Sequence, residues 1–563
     1  MVDYDTHTAH SLRAFCVPGV LMRRIWACAI LAGVLAAGSA VAVSVSTDEM
    51  AVVRQWMTGH FAGESRTIPF SFDYGAKSSK SLLAGWTREV VSRKLDDART
   101  ERTFRFTDPA SGLEVRCVVV EYADFPTVEW TVYFKNNGAT DTPVLANIQA
   151  LDTAFSRVGE EEFLLHHSKG AQSKNSDYAP LETRLGPGDA NVFSPTGGRP
   201  ANGAWPYFNL QWGDQGVIVV VGWPGQWQSE FTRDDGREIH IRTGQQQTHF
   251  RLRPGEEVRS PRIVLQFWQG RDWIGAQNIW RRWMMAHNMP RPGGKLPPPM
   301  ALGSSYRVHH EMTQANEANQ IMFIDRYLEE KIPIDSWWMD AGWYPCDGEW
   351  HRVGTWEPDP ERFPRGLKPI SDHAHANGMK TLLWFEPERV AQGTWLAEHH
   401  PEWLLDGVLL DLGNPDALQW LIDHVDTLLT GQGIDLYRQD FNMDPLAHWR
   451  KNDTKDRQGI TEIKHVTGYL AYWDALRRRH PNMLIDSCAS GGRRNELEAM
   501  SRAVPLWRSD HAYEPVSMQS ITYGISLWLP YHGTGNGAYY DRLPAYLDPA
   551  APPNTTPIDP SVL

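Results

Sequence analysis

A chain of 563 residues is too long to close around one hydrophobic core, and 41% hydrophobic with 22% charged residues is the composition of a globular protein of two or three domains. A net charge of −13, with no long run of lysine and arginine, argues against a nucleic-acid partner and favours a neutral ligand.

Residues 1–43 read as an N-terminal extension and signal peptide. Met22-Arg23-Arg24 supplies the charged start, Ile25 to Leu35 the apolar middle and Ala40-Val41-Ala42 the small-residue cleavage site. The expected location is therefore secreted, periplasmic or in the cell envelope. An uncleaved anchor is the alternative, since Ile25 to Val43 nearly reaches the roughly 20 residues that cross a bilayer, and a membrane is a partner only in that case. Residues 1–21 fit neither signal nor domain, which makes Met22 a second candidate start. Cleavage would remove Cys16 and Cys28 and leave Cys117, Cys346 and Cys488. That odd, scattered set is no disulfide framework and has no metal-ligand spacing, although one Cys346–Cys488 bridge stays open.

From 48 to 270 the pattern is strands: Leu113, Val115, Cys117 and Val119 alternate with polar neighbours, as do Val128, Trp130, Val132 and Phe134 before an Asn136-Asn137-Gly138 turn. One buried and one wet face means antiparallel sheets, so a β-sandwich is expected first. Residues 271–299 form a helix and Pro-rich linker. From 300 to 545 apolar runs recur with helical stretches between them, at Ala301-Leu302, Ile334 to Met339, Lys380 to Phe385, Ile434 to Tyr437, Met483 to Ile485 and Pro505 to Trp507, the signature of a TIM-type (β/α)8 barrel. A seventh strand is expected at Ile525 to Leu529. Eight are required, and 546–563 reads as a disordered Pro-rich tail, so the barrel looks C-terminally truncated or frame-shifted after about residue 540. Such a chain would need a second copy or an unusual closure, which puts a homo-oligomer among the expectations.

Barrel active sites are built at the carboxyl ends of strands, where Asp340, Glu386, Asp440, Cys488 and Asp510 fall. Asp440 and Asp510 stand about 70 residues apart, two strand-plus-helix units of roughly 35 each, and so would face each other from alternate strands. Paired carboxylates over one crevice are the machinery of glycoside hydrolysis. The indoles at 337, 338, 343, 384 and 507 could cover the apolar face of a sugar, with Trp343 and Trp384 as the chosen platforms and Trp420 and Trp473 as packing. An aspartate at a strand end can also merely cap the next helix, and Cys488 can be a small buried hydrophobe. Glu386 and Glu388 flank Pro387, so one of them, Glu386 by preference, faces the site. His309-His310 and His373-Ala374-His375 do not converge into a metal set, and Gly491-Gly492 reads as a tight turn beside the sugar.

The second part resembles the melibiase-type α-galactosidases, glycoside hydrolase family 36. The likeness rests on Trp338-Met339-Asp340-Ala341-Gly342-Trp343, Leu383-Trp384-Phe385-Glu386-Pro387-Glu388, His400-Pro401-Glu402-Trp403, Gln439-Asp440-Phe441-Asn442, Cys488-Ala489-Ser490-Gly491-Gly492 and Ser509-Asp510, within roughly residues 100 to 535. It implies retaining hydrolysis of terminal α-galactosides without metal or cofactor. Asp440 would be the nucleophile and Asp510 the general acid and base, their carboxyls about 5–5.5 Å apart, with Asp510 raised in pKa. Asp340, Trp343, Trp384, Glu386, Arg438, Asn442, Cys488, Gly491 and Arg508 would hold a small or oligosaccharide substrate.

Three departures bear on which sugar is bound. Asp340-Ala341 stands where the family usually pairs two aspartates, Arg438-Gln439 where it has Lys-Trp, and Glu398 where it tends to have arginine. An α-N-acetylgalactosaminidase or another α-glycosidase of the same fold is the enzymic alternative. An inactive or sugar-binding remnant is the alternative of another class.

Overall fold

The computed structural model describes residues 43–61, 68–306, 308–511 and 515–534. The expected signal segment and Pro-rich tail lie outside these residues. From Val45 on, the chain clusters as one compact unit.

That unit opens with a helix, Thr47–Phe61, where strands were expected from residue 48. Ser46 and Glu49 cap it reciprocally, each backbone N–H reaching the other's side chain at 2.8 and 3.1 Å. Val53, Trp56, Met57 and Phe61 form its buried stripe at helical spacing, and Trp56 stacks on Trp130 at 5.7 Å. Three antiparallel sheets follow, of ten, four and five strands. In the largest, Leu113–Tyr122 and Thr127–Asn136 pair with Leu113 opposite Asn136. Their alternating residues Val115, Cys117, Val119, Trp130, Val132 and Phe134 are all buried, as the period-two pattern requires. The five-stranded sheet takes its last strand, Arg457–Gln458, from the second half of the chain, where it pairs with His249–Phe250.

Beyond the helix Trp273–Trp283, the second half is a parallel sheet of five strands in sequential order: β1 (Leu302–Ser304), β2 (Ser336–Met339), β3 (Lys380–Phe385), β4 (Leu436–Gln439) and β5 (Leu484–Ser487). The helices between them carry their own punctuation. Pro415–Gln432 starts at an Asn414 cap with proline in its first turn and stops at left-handed Gly433. Trp338, Leu382, Leu436 and Leu484 lie side by side across the sheet and pack with Val504 and Leu506.

Two of the expected strands differ. Val504 meets β5 through a single parallel bridge to Asp486, and among the described residues 505–507 add no ladder. Pro505 has no N–H to donate, and its carbonyl is taken by the Gly533 N–H at 2.8 Å. Ile525 to Leu529 is the end of a helix, Pro515–Ser526, and the turn after it, with Ile521 and Ile525 buried one helical turn apart. Cys346 and Cys488 are both buried and free, so the bridge left open between them is not formed.

Close packing makes one glycine irreplaceable and another improvable. A β-carbon on Gly468, in the helix Ile460–Arg479, would run into the Leu412 carbonyl, whereas one on Gly431 meets nothing within 4 Å. Gly468→Ala is expected to destabilise the fold by about 1–3 kcal/mol, and Gly431→Ala, in open space in the last turn of the helix Pro415–Gln432, to stabilise it by roughly 0.5 kcal/mol. Thermal and denaturant unfolding of the two variants checks both signs.

Candidate active site

Along β2 to β5 the even-numbered residues share one face. Above the layer of Trp338, Leu382, Leu436 and Leu484 comes a second, in which Trp384, Arg438 and Asp486 are register partners. Asp340 and Asp440 follow the same alternation one residue past the strand ends. A cavity of about 230 Å³ opens there, lined by Asp340, Glu311, Asp440 and Asp510, by Arg438 and Asn442, and by the rings of Tyr306, Trp338, Trp350, Trp384 and Trp507, with Ala341 in its wall.

Asp440 is anchored by its own N–H to the Phe385 carbonyl at 2.8 Å. Its Oδ1 accepts from the Phe441 and Ser490 N–H groups at 2.8 and 2.9 Å, and the Trp384 indole N–H lies 3.3 Å from Oδ2. Burial pushes this carboxyl up, but the Arg438 charge and these donors outweigh it, so Asp440 sits below the usual carboxylate range. Asp510 has the opposite balance. Burial and then the charge of Asp440 raise it to about 6 against the pull of Arg438, while the Trp507 indole N–H donates to its Oδ1 at 3.1 Å. Asp340 is raised as well, by burial first and by Asp440 and Asp486. Arg438, almost fully buried, pairs with Asp486 and lies 4.6 Å over the Trp338 ring.

Six of the residues chosen from sequence thus meet at one cavity: Asp340, Trp384, Arg438, Asp440, Asn442 and Asp510. The other five stand behind it. Trp343 is buried with its indole N–H on the Trp384 carbonyl at 2.8 Å. Glu386, turned away after its strand end, accepts from Arg389 and from the side-chain amide of Asn442 at 2.8 and 3.1 Å. Cys488 is buried, its N–H on the Gln439 carbonyl at 2.7 Å. Gly491, at φ +80°, packs against the Ser509–Asp510 backbone, where a β-carbon has no room. Arg508 points to the Gly533 and Met518 carbonyls. Glu388, the alternative to Glu386, is held by Arg494, His465 and Gln439. Tyr306, Glu311 and Trp350 were missed. They lie on loops, where no periodicity signals direction, whereas Trp338 was available from the alternation that ends in Asp340.

Carboxylates at the ends of parallel strands, facing an aromatic crevice, are the setting in which glycoside hydrolases work. Residues 317–540 match the Melibiase family model, and the resemblance to the melibiase-type α-galactosidases of glycoside hydrolase family 36 stands. The chain is 22% identical over 489 residues to alpha-galactosidase Mel36A of Lactobacillus acidophilus, covering 82% of this chain and 63% of that protein. It is 26% identical over 324 residues to alpha-galactosidase C of Emericella nidulans, covering 53% and 40%. The crystal structure of the alpha-galactosidase from Lactobacillus brevis shares the fold at a TM-score of 0.70 and 18% identity, over 84% of this chain and 66% of that one. A GH36 alpha-galactosidase AgaA variant from Geobacillus stearothermophilus, in complex with stachyose, does so at 0.69 and 18%, over 83% and 68%. The chain therefore spans less than two thirds of these curated relatives.

The raised Asp510 has a consequence for stability. A carboxyl whose folded pKa lies above its unfolded value contributes stability below the unfolded value, near 4, and loses it as pH rises through about 6. Asp510→Asn, which cannot ionise, is expected to be more stable than the parent at about pH 8, by up to about 3 kcal/mol. The difference should vanish below about pH 4, as read by chemical unfolding at both values.

Proposed function

We propose that the chain is a retaining exo-glycosidase that hydrolyses terminal α-D-galactosides by double displacement. The observation that carries this reading is the opposed pair in one cavity: Asp440 is held below the usual carboxylate range by Arg438 and its N–H donors, while burial and Asp440 raise Asp510 to about 6. Asp440 attacks the anomeric carbon as Asp510 hands its proton to the departing oxygen. Asp510, now a carboxylate, draws a proton from the water that opens the glycosyl-enzyme. Asp340, Arg438 and Asn442 hold hydroxyls, and the surrounding rings cover the apolar face of the sugar. In this reading the antiparallel half, up to 270, leads through the linker 271–299 into a catalytic barrel that begins at 300, and the leader sends the protein to the envelope or beyond. The structurally similar AgaA variant is in complex with stachyose, which supports an oligosaccharide substrate here. Ala341, a small side chain in the cavity wall, favours an α-N-acetylgalactosaminide as the second substrate to try.

The test is hydrolysis of nitrophenyl α-galactoside, α-N-acetylgalactosaminide and β-L-arabinopyranoside by the parent, Asp440→Ala and Asp510→Ala. One substrate should turn over, and Asp440→Ala should lower its rate at least about a thousandfold. For the parent, kcat/KM should fall above about pH 6 as Asp510 loses its proton, and fall again in acid as Asp440 gains one. A folded parent inert on all three sugars sinks the hydrolase reading and leaves a sugar-binding one.

A further inference from the structure

Asp340 and Asp440 inherit their positions from the sheet, since each directly follows a hydrogen-bonded strand. Asp510 does not, because among the described residues 505–510 add no ladder. Its anchorage comes from the other half of the chain, from the loop between the antiparallel strands Phe163–Ser168 and Pro180–Leu185.

Asp177 of that loop is buried. It gathers the N–H groups of Gln172 and Ser173 at 2.7 and 3.1 Å, and accepts from the hydroxyl of Ser509, the residue before Asp510, at 2.6 Å. The Ser509 oxygen in turn receives the N–H of His511, the residue after Asp510, at 3.1 Å. One carboxylate thus ties down the backbone on both sides of Asp510. Tyr178 adds a second tie: its hydroxyl donates to the Arg508 carbonyl at 2.8 Å and accepts from Asn495 at 2.9 Å. Gly492 and Gly524 flank it where any β-carbon would collide with the tyrosine, so the ring has one seat. Ser173 and Tyr178 hold left-handed backbone at φ 59° and 60° without being glycine, strain that persists only where the surroundings impose it.

We propose that Asp177 and Tyr178 are positioning residues that set the Asp510 carboxyl for proton transfer to the leaving oxygen. The inference rests on the glycosidase reading above. A group that serves the general acid matters in proportion to how much the leaving oxygen needs a proton. Dinitrophenolate departs unaided, whereas methoxyphenolate does not.

The experiment measures kcat/KM, which reports through the first irreversible step, for aryl α-galactosides from 2,4-dinitrophenyl to 4-methoxyphenyl. The enzymes are the parent chain, Tyr178→Phe, Ser509→Ala and Asp177→Asn, each checked by thermal unfolding. Tyr178→Phe removes a single hydroxyl and carries the test if Asp177→Asn does not fold. The expected result is a loss of about tenfold or more on the methoxyphenyl substrate with the dinitrophenyl substrate within about twofold of the parent. Equal losses on both substrates, or none, overturn the positioning role while leaving the hydrolase intact. A parent chain inactive on every aryl galactoside overturns the α-galactosidase reading and this one with it.

Discussion

Three aspartates, Asp340, Asp440 and Asp486, surround one buried guanidinium. Removing charged groups from water costs several kcal/mol each unless they are paired and hydrogen-bonded, and Arg438 is the cation about which this arrangement turns. Its ion pair with Asp486 lies beneath the cavity, and its face rests on the Trp338 ring. Its charge pulls Asp440 and Asp340 down against their burial. The same charge is felt by Asp510 but loses there to burial and to Asp440. That cation, together with the N–H donors on Asp440, thus helps divide two similar carboxyls into one held below the usual carboxylate range and one raised to about 6.

The surrounding construction serves that asymmetry from two directions. The parallel sheet delivers Arg438 and Asp440 on one strand two residues apart, which the pleat turns to the same side. The antiparallel half closes the other flank. Arg199 reaches from it to the Phe441 carbonyl at 3.2 Å and the Ser490 hydroxyl at 3.0 Å, and Ser173 donates to the Ser490 carbonyl at 3.3 Å. Ser490 is the residue whose N–H binds Asp440. Both aspartates of the pair thus lean, at one remove, on residues more than 240 positions earlier in the chain, and the strand Arg457–Gln458 pairs across the same two halves.

How far the sequence could be read follows from what each residue's direction depends on. Asp340, Asp440 and Trp384 end or follow strands whose period fixes which side they face, and they were legible. So was the alternation of Leu113 to Val119. Glu386 has the parity of Trp384 yet does not line the cavity, because its carboxylate is taken by Arg389 and Asn442. Arg508 turns to the Gly533 and Met518 carbonyls, because its segment leaves the ladder and parity carries no information there. The helix Pro515–Ser526 hid within an apolar stretch that periodicity alone does not tell from a strand, and Glu311 sits on a loop that has no period at all.

Glu311 also changes the weight of the departures from the family's motifs. Gln439 lies outside the cavity lining, held between Tyr437, Trp473 and Glu388, so its exchange is absorbed by the packing behind the strand. Ala341 is different, since it is in the wall itself. Its carbonyl accepts the Met312 N–H at 2.6 Å. That bond brings the loop after β1 against the end of β2, and Glu311 of that loop, left-handed at φ 62°, lines the same cavity as Ala341. Beside Ala341 a carboxylate is thus supplied from a loop, in the same wall, on a backbone held in a conformation non-glycine residues seldom adopt. The wall therefore carries two carboxylates, Asp340 and Glu311, around the small side chain of Ala341.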